Sequence, residues 1–227
     1  MKPSTLSLYE QVGIVIPGTT VLFGLFFVSP ELKAMFLRDG FGLGDFGLFV
    51  TVSYVAGHLV AAVGNALETL YWKPFGGMPS VWIAKAGQTV IAPSQAEKLE
   101  RLIGSRLGLP IPTICGMAPG EWHQVFMQMT ADVRASKADG RAEIFNANYG
   151  LNRGIAAGLL VVAVTNLVLA PTSWRVTLVA LVLFGLALSR MHRFGVHYAR
   201  AMCREFLRLP EVPTPQPQGS ATESANG

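Results

Sequence analysis

The sequence predicts an all-α membrane protein with four transmembrane helices in two hairpins and a small, mainly helical cytoplasmic domain inserted between them. The first observation is composition: 51% of the 227 residues are hydrophobic and only 14% are charged, far from an average soluble domain. The second is three long apolar runs, residues 11–30, 46–67 and 154–174, which contain no Asp, Glu, Lys or Arg and a single histidine, His58. The third is the distribution of basic residues, which predicts the orientation.

The apolar runs predict the spans themselves. A hydrocarbon core about 30 Å thick needs roughly 20 helical residues, and the three long runs meet that length. A fourth run, 176–189, is shorter and needs extension at its outer end. Trp174 suits the membrane interface there, and Arg175 can extend its guanidinium group to water. We therefore predict four spans, of which the fourth is the shortest.

The basic residues predict that both termini and the middle of the chain lie in the cytoplasm. Of 18 Lys and Arg residues, the two short connections contain only Lys33, Arg38 and Arg175. Positive charge accumulates on the cytoplasmic side of bacterial inner membranes. A three-span arrangement would place the arginines that follow Ser189 outside, against this rule. The sequence thus predicts a multi-pass protein of the bacterial inner membrane.

Five parts follow one another along the chain. They are a first transmembrane hairpin (1–68), a cytoplasmic domain (69–150), a second hairpin (151–190), a basic amphipathic cytoplasmic helix (191–209) and a disordered tail (210–227). The tail is predicted from its proline, serine and glutamine content. About 80 residues form only a marginal core, so we expect the membrane or neighbouring subunits to support the domain.

Two amphipathic helices are predicted inside the cytoplasmic domain. The first runs from Ser94, as N-cap, to about Leu107, and the glutamate three residues after Ser94 completes a capping box. The second covers 121–137, where apolar residues recur at helical spacing. Residues 81–83 and 89–91 are predicted to pair as a short hairpin of strands.

Polar side chains share one face of the second span. At 100° per residue, Tyr54, His58, Asn65 and Glu68 fall within an arc of roughly 80°. Polar groups inside a span are costly in lipid, so this polar stripe is expected to face protein or water. It indicates a hydrogen-bonded packing surface, or the lining of a pore or of a cavity open to the cytoplasm. A proton relay is disfavoured, because His58 and Glu68 lie about 15 Å apart along one helix.

A seam of small residues lies beside the polar stripe and consists of Gly57, Ala61 and Gly64. Small residues allow helices to approach closely in lipid. The seam therefore predicts close helix packing, and we expect the chain to form a homo-oligomer through it.

The start of the third span contains Asn152 and Arg153 at the predicted cytoplasmic boundary. Glu68 lies at a similar depth at the end of the second span, so we expect an Arg153–Glu68 ion pair at the interface. The alternative is an interfacial anchor in which these polar groups serve the helix ends.

The helix after the fourth span has a basic stripe, with one member every three or four residues. Its members are Arg190, Arg193, His197, Arg200, Arg204 and Arg208. Such a helix can lie along the inner leaflet, with its arginines on lipid phosphates. It can equally pack its apolar face on the cytoplasmic domain and offer arginines to an anionic small molecule, such as a nucleotide, or to a protein partner. Nucleic acid is disfavoured, because no aromatic-interleaved binding module is visible.

Signatures of catalysis are sparse. We predict no catalytic residue, cofactor or metal site, since there is no phosphate loop or nucleophile elbow and His192 and His197 point about 140° apart on a helix. Cys115 and Cys203 are predicted to be free thiols. The favoured hypothesis is a non-enzymatic, oligomeric membrane protein, a pore-forming or signalling effector whose cytoplasmic domain senses or binds a partner. The alternatives are a membrane-embedded enzyme or transporter with a polar site at the cytoplasmic face of spans two and three, and a structural scaffold.

Overall fold

The chain is described by a computed structural model that covers residues 8–37, 42–87, 89–109 and 113–211. These residues fold into eight α-helices and two short 3-10 turns, Lys73–Phe75 and Pro171–Ser173, so the all-α prediction is confirmed for the described chain. The helices are α1 (Leu8–Phe26), α2 (Pro30–Leu37), α3 (Leu43–Trp72), α4 (Pro79–Trp82), α5 (Pro93–Leu107), α6 (Pro119–Ala135), α7 (Gly140–Leu169) and α8 (Trp174–Phe206). The predicted tail lies outside the described residues beyond position 211.

Three segments of the described chain are long and apolar enough to cross a membrane: Leu43–Trp82, Gly140–Leu169 and Pro171–Phe206. The first apolar helix is shorter, since its apolar part, Gly13–Phe26, covers about 21 Å at 1.5 Å per residue. Span four was predicted to be the shortest, but α1 is the shortest of the four apolar helices in the described chain and α8 is the longest. The reason is that the run at 176–189 continues without a break into the amphipathic helix behind it, forming a helix of 33 residues.

Close backbone contacts position α1 in the groove between α3 and α7. A side chain on Gly18 would overlap the Ser53 carbonyl of α3, and one on Gly57 would overlap the backbone of Ile14. Pro17 is fully buried beside Gly154 of α7, and α1 continues as helix through it. Because lipid tails are as apolar as leucine, such van der Waals packing is what holds helices together in a membrane.

A buried amide fixes the turn between α7 and α8. Asn166 is fully buried, and its Nδ2 donates to the Ser173 carbonyl at 3.0 Å and to the Thr177 hydroxyl at 2.8 Å. These bonds join the last turn of α7 to the first turn of α8. They set the antiparallel register in which the two long helices run side by side.

A separate hydrophobic core, here called the helical module, forms where α4, α5 and α6 pack on the ends of α7 and α8 that lie far from this turn. The predicted apolar faces of α5 and α6 are buried in it. Fully buried members are Leu99, Leu102, Ile103, Trp122, Met129, Val133 and Phe206. The apolar side of α8 thus packs on the module, which is one of the two arrangements predicted for the basic helix.

An ion pair ties α5 to α6 inside the module. Arg106 donates from Nε and Nη2 to the two carboxylate oxygens of Asp132, at 2.6 and 3.0 Å. These hydrogen bonds raise the pKa of the Arg106 guanidinium above its ordinary value.

Two local predictions in the module are wrong. Residues 79–82 form α4 and residues 89–91 are not a strand, so the predicted hairpin of strands does not form. Helix α5 begins two residues early, with Ala92 as its N-cap, Pro93 at its first position and Gln95 Oε1 accepting the Ala92 amide at 3.1 Å. Proline is preorganised for the first helical position, so the cap shifts away from Ser94.

Candidate functional site

A hydrogen-bonded network joins α3 to α7 at the boundary between the apolar helices and the module. Glu68 accepts from the Tyr149 hydroxyl at 2.7 Å through Oε1 and from Arg153 through Oε2. Trp72 Nε1 donates to the same tyrosine oxygen at 2.9 Å. The expected Arg153–Glu68 pair is therefore present, with side chains 26% and 15% exposed. We call these four residues the junction network.

Aromatic rings surround His192 of α8 next to the junction network. The Tyr71 hydroxyl lies 3.1 Å from His192 Nδ1, and the Trp72 ring centroid lies 4.9 Å from that of the imidazole. The ring centroids of Phe75 and Trp82 lie 5.2 and 5.9 Å from that of His192. This contact attaches α8 to the end of α3, so all three long helices meet at the boundary.

The structure divides the predicted polar stripe. Glu68 turns toward α7, whereas Tyr54, His58 and Asn65 are exposed on the outer surface of α3. The rings of Tyr54 and His58 contact each other edge-to-face at 4.7 Å. His58 lies near the midpoint of α3, which spans Leu43–Trp72. Three polar side chains of one face thus remain uncovered in the single chain.

The predicted small-residue seam packs within the chain. Gly57 is buried against α1, and Gly64 is buried beside Arg153 and Ala157 of α7. Ala61 is half-buried between them. The close approach predicted by the seam is therefore found between helices of one chain.

A polar cavity of about 460 Å³ lies between α1, α3 and α7. Its polar lining comes from Arg134 of α6 and from Glu143, Asn146 and Arg153 of α7, and small or apolar residues of α1, α3 and α7 form the rest of its wall. Asn152 is not part of it, since its side chain donates to the Asn148 carbonyl of its own helix at 2.7 Å.

A second, smaller cavity of about 200 Å³ lies between α7 and α8 at the module end, and we call it the arginine pocket. Its walls carry four arginines, one histidine and one carboxylate. The lining residues are Arg141, Phe145, His197, Arg200, Ala201, Arg204, Glu205 and Arg208. The Phe145 and His197 rings stack with their centroids 5.3 Å apart.

The residues of the predicted basic stripe therefore lie in two separate places. Arg190 and Arg193 lie outside the pocket, next to the end of the apolar part of α8. The Arg190 guanidinium lies 5.4 Å from the Phe194 ring centroid, and Arg193 Nε lies 3.4 Å from His197 Nε2. The remaining members of the stripe line the arginine pocket.

Sequence reasoning did not identify Arg141, Trp72 or His192 as members of a site. The signal for Arg141 is the hairpin register, because residues equally far from the turn near Thr172 lie side by side in an antiparallel pair. Arg141 precedes that residue by 31 positions, and Arg204 follows it by 32. The apolar runs alone do not show that this antiparallel register continues as far as Arg141.

No group of three His, Cys, Asp or Glu side chains in the described chain is arranged to hold a metal ion. Cys115 is exposed and Cys203 is buried, both as free thiols. The two cavities offer cationic and hydrogen-bonding groups. No protein-family model, curated protein or solved structure matches this chain.

Proposed function

We propose that this chain is a multi-pass inner-membrane protein, oligomeric and non-enzymatic, whose cytoplasmic module binds a ligand and passes the binding event to the membrane helices. One observation carries the proposal: α7 and α8 each continue from an apolar segment into the core of the module. Ala142 near the start of α7 and Phe206 at the end of α8 are both fully buried there. Shifts of packed helices are a known means of transmitting a binding event.

Basic residues support the cytoplasmic placement of the module. The end of the molecule that holds the module contains Arg106, Arg141 and the arginines that follow Ser189, whereas Arg175 is the one Lys or Arg in the turn from 170 to 175. Cytoplasmic segments carry such an excess of positive charge. This orientation requires α1 to cross the membrane as a fourth span, assisted by the residues that flank its apolar part.

The uncovered part of the polar stripe supports an oligomer. Tyr54, His58 and Asn65 face outward from α3, and His58 at the middle of a span would lie deep in lipid. Polar groups at that depth are costly unless they meet a partner or water. A second copy covering this face satisfies them. Since Gly57 and Gly64 are occupied within the chain, the oligomer contact is assigned to the polar stripe instead of the seam.

Cysteine labelling with a membrane-impermeant maleimide tests the topology. In spheroplasts, Cys115 is expected to react only after the membrane is permeabilised. In a Cys115→Ser background, Ser29→Cys and Thr172→Cys are expected to react from outside. The buried Cys203 stays unlabelled in every case and serves as the internal control. Labelling of Ser29→Cys only after permeabilisation would contradict a membrane-crossing α1.

Particle mass in lipid nanodiscs tests the oligomer. The unmodified chain is expected to assemble, and His58→Leu is expected to reduce the assembled fraction. Leu59→Ala is the matched control, because Leu59 is 69% exposed on the same helix and apolar. A monomeric unmodified chain would contradict the proposal, and so would equal effects of the two substitutions.

A second candidate function, a membrane-embedded transporter or enzyme, is favoured by the polar cavity between α1, α3 and α7. Its volume of about 460 Å³ lies within the range of roughly 300–1,000 Å³ that suits a small-molecule ligand. Asn146→Leu removes a hydrogen-bonding group from the wall of this cavity without touching the polar stripe. A solute flux or turnover that this substitution abolishes, with assembly unchanged, would favour the second candidate.

A further inference from the structure

The arginine pocket has the composition of an anion site. Arg141 of α7 lines the same space of about 200 Å³ as Arg200 and Arg204 of α8, and Arg208 also lies in its wall. We propose that this pocket binds a phosphoryl group of a soluble phosphorylated small molecule. The inference rests on the ligand-binding role proposed for the module and names the chemistry of its ligand.

The positive charge of the pocket is largely unneutralised. Among the described residues, no carboxylate lies within ion-pair distance of Arg141, Arg200 or Arg204. The lining carboxylate is Glu205, whose Oε2 accepts from Arg208 Nη1 at 3.3 Å. Four guanidinium groups thus face one carboxylate. Like charges that line one small cavity repel one another, and an anion between them relieves the repulsion.

The arginines are also arranged to recognise a phosphoryl group. Arg200 Nε donates to the Val90 carbonyl at 3.2 Å, which fixes the plane of that guanidinium at the pocket wall. A planar guanidinium fork pairs with phosphate oxygens through two parallel hydrogen bonds. The pocket is smaller than the roughly 300–1,000 Å³ that enclose a drug-sized ligand. It therefore fits a phosphoryl group while the rest of the ligand stays outside.

The depth of the pocket favours a soluble ligand over a lipid headgroup. Arg204 follows Ser189, the end of the apolar run, by 15 residues, or about 22 Å of helix. Arg141 precedes Gly154 by 13 residues, or about 20 Å. The headgroup layer extends only about 5–8 Å beyond the hydrocarbon. Arg190 lies at that depth, so lipid phosphates are assigned to it and not to the pocket.

Titration calorimetry with pyrophosphate and with ATP tests the site, using the full chain in an uncharged detergent at fixed salt. We expect Arg204→Gln to weaken binding by about tenfold or more, since a charge-assisted hydrogen bond is lost. Arg141→Gln on the opposite helix gives a second, independent variant should the first fold poorly. Arg190→Gln removes the same charge from the same helix outside the pocket, and we expect it to change the affinity by less than twofold.

Several results would overturn the inference. One is that neither pyrophosphate nor ATP binds. Another is that Arg204→Gln and Arg190→Gln weaken binding equally, because equal effects indicate diffuse charge attraction. Phosphatidylcholine nanodiscs with and without phosphatidylglycerol separate the sources of phosphate. Loss of pyrophosphate binding on adding phosphatidylglycerol assigns the pocket to lipid and contradicts a soluble ligand. Pocket-specific binding without any change in assembly or in α7–α8 distances upholds the site and rejects the proposed coupling to the membrane helices.

Discussion

The Glu68–Arg153 pair stabilises the attachment of α3 to α7, and a double-mutant cycle measures by how much. Exposed ion pairs contribute about 0.2–1 kcal/mol, whereas breaking a buried pair costs about 3–5 kcal/mol. The side chains are 15% and 26% exposed, so we expect Arg153→Gln to cost about 2 kcal/mol, between these limits. For a protein of this length that is a fall in Tm of about 4–8 °C.

The assay is thermal unfolding in uncharged detergent, followed by tryptophan fluorescence. Glu68→Gln, Arg153→Gln and the double variant complete the cycle, and the double variant is expected to lose less than the sum of the single losses. Arg190→Gln is the matched control, because the guanidinium it removes has no carboxylate partner among the described residues. A coupling energy below about 0.5 kcal/mol, the usual error of additivity, would refute the reasoning.

Three further predictions concern packing and polar contacts. Gly57→Ala is expected to separate α1 from α3 and lower Tm, because the new methyl group overlaps the Ile14 backbone. Gly47→Ala on the same helix is the control, because its methyl group meets no atom within 4 Å, and we expect it to leave Tm unchanged or raise it. Asn166→Ala is expected to cost about 1–2 kcal/mol by removing the bonds across the α7–α8 turn, while Asn148→Ala, whose amide bonds only its own helix, costs less in the same melt. Asp132→Asn is expected to cost about 1.5–3 kcal/mol, because it breaks the two-point contact with Arg106. Glu143→Gln breaks an ion pair whose side chains are nearly half exposed and is expected to cost under 1 kcal/mol; equal losses in chemical denaturation would contradict the role of burial.

Patterns with a short period predicted the local structure well. The apolar faces of α5 and α6 follow from residues three and four apart, and Leu99, Leu102, Trp122 and Met129 are fully buried as that spacing predicts. The Arg153–Glu68 pair followed from depth alone, because Glu68 directly follows one apolar run and Arg153 directly precedes the next, at the same predicted membrane boundary. In each case the residues of one helix, or the residues at one membrane boundary, are sufficient for the prediction.

Features that depend on which helices contact each other could not be predicted from such local patterns. The small seam on α3 predicts a close neighbour, but Gly57 itself contains no information on whether that neighbour is α1 or another copy of the chain. The outward position of His58 depends on α1 and α7 having filled the other faces of α3. Arg141 likewise joins a site only because the α7–α8 turn aligns it with Arg204.

The arginine pocket and the junction network share helix α7, and the rings around His192 connect α8 to the same junction, which bears on how a ligand could act. Arg204 lies 12 residues beyond His192 on α8, about 18 Å along the axis. A ligand that draws Arg204 toward Arg141 rotates or shifts α8 against α7. The stack of Phe145 on His197 at the pocket resists this motion first, and the aromatic rings around His192 and the bond from Tyr149 to Glu68 resist it next. Under the proposed function these contacts determine whether the motion reaches α3. Since α3 also carries the outward polar stripe, a shift at the junction changes the face on which a second copy is proposed to pack.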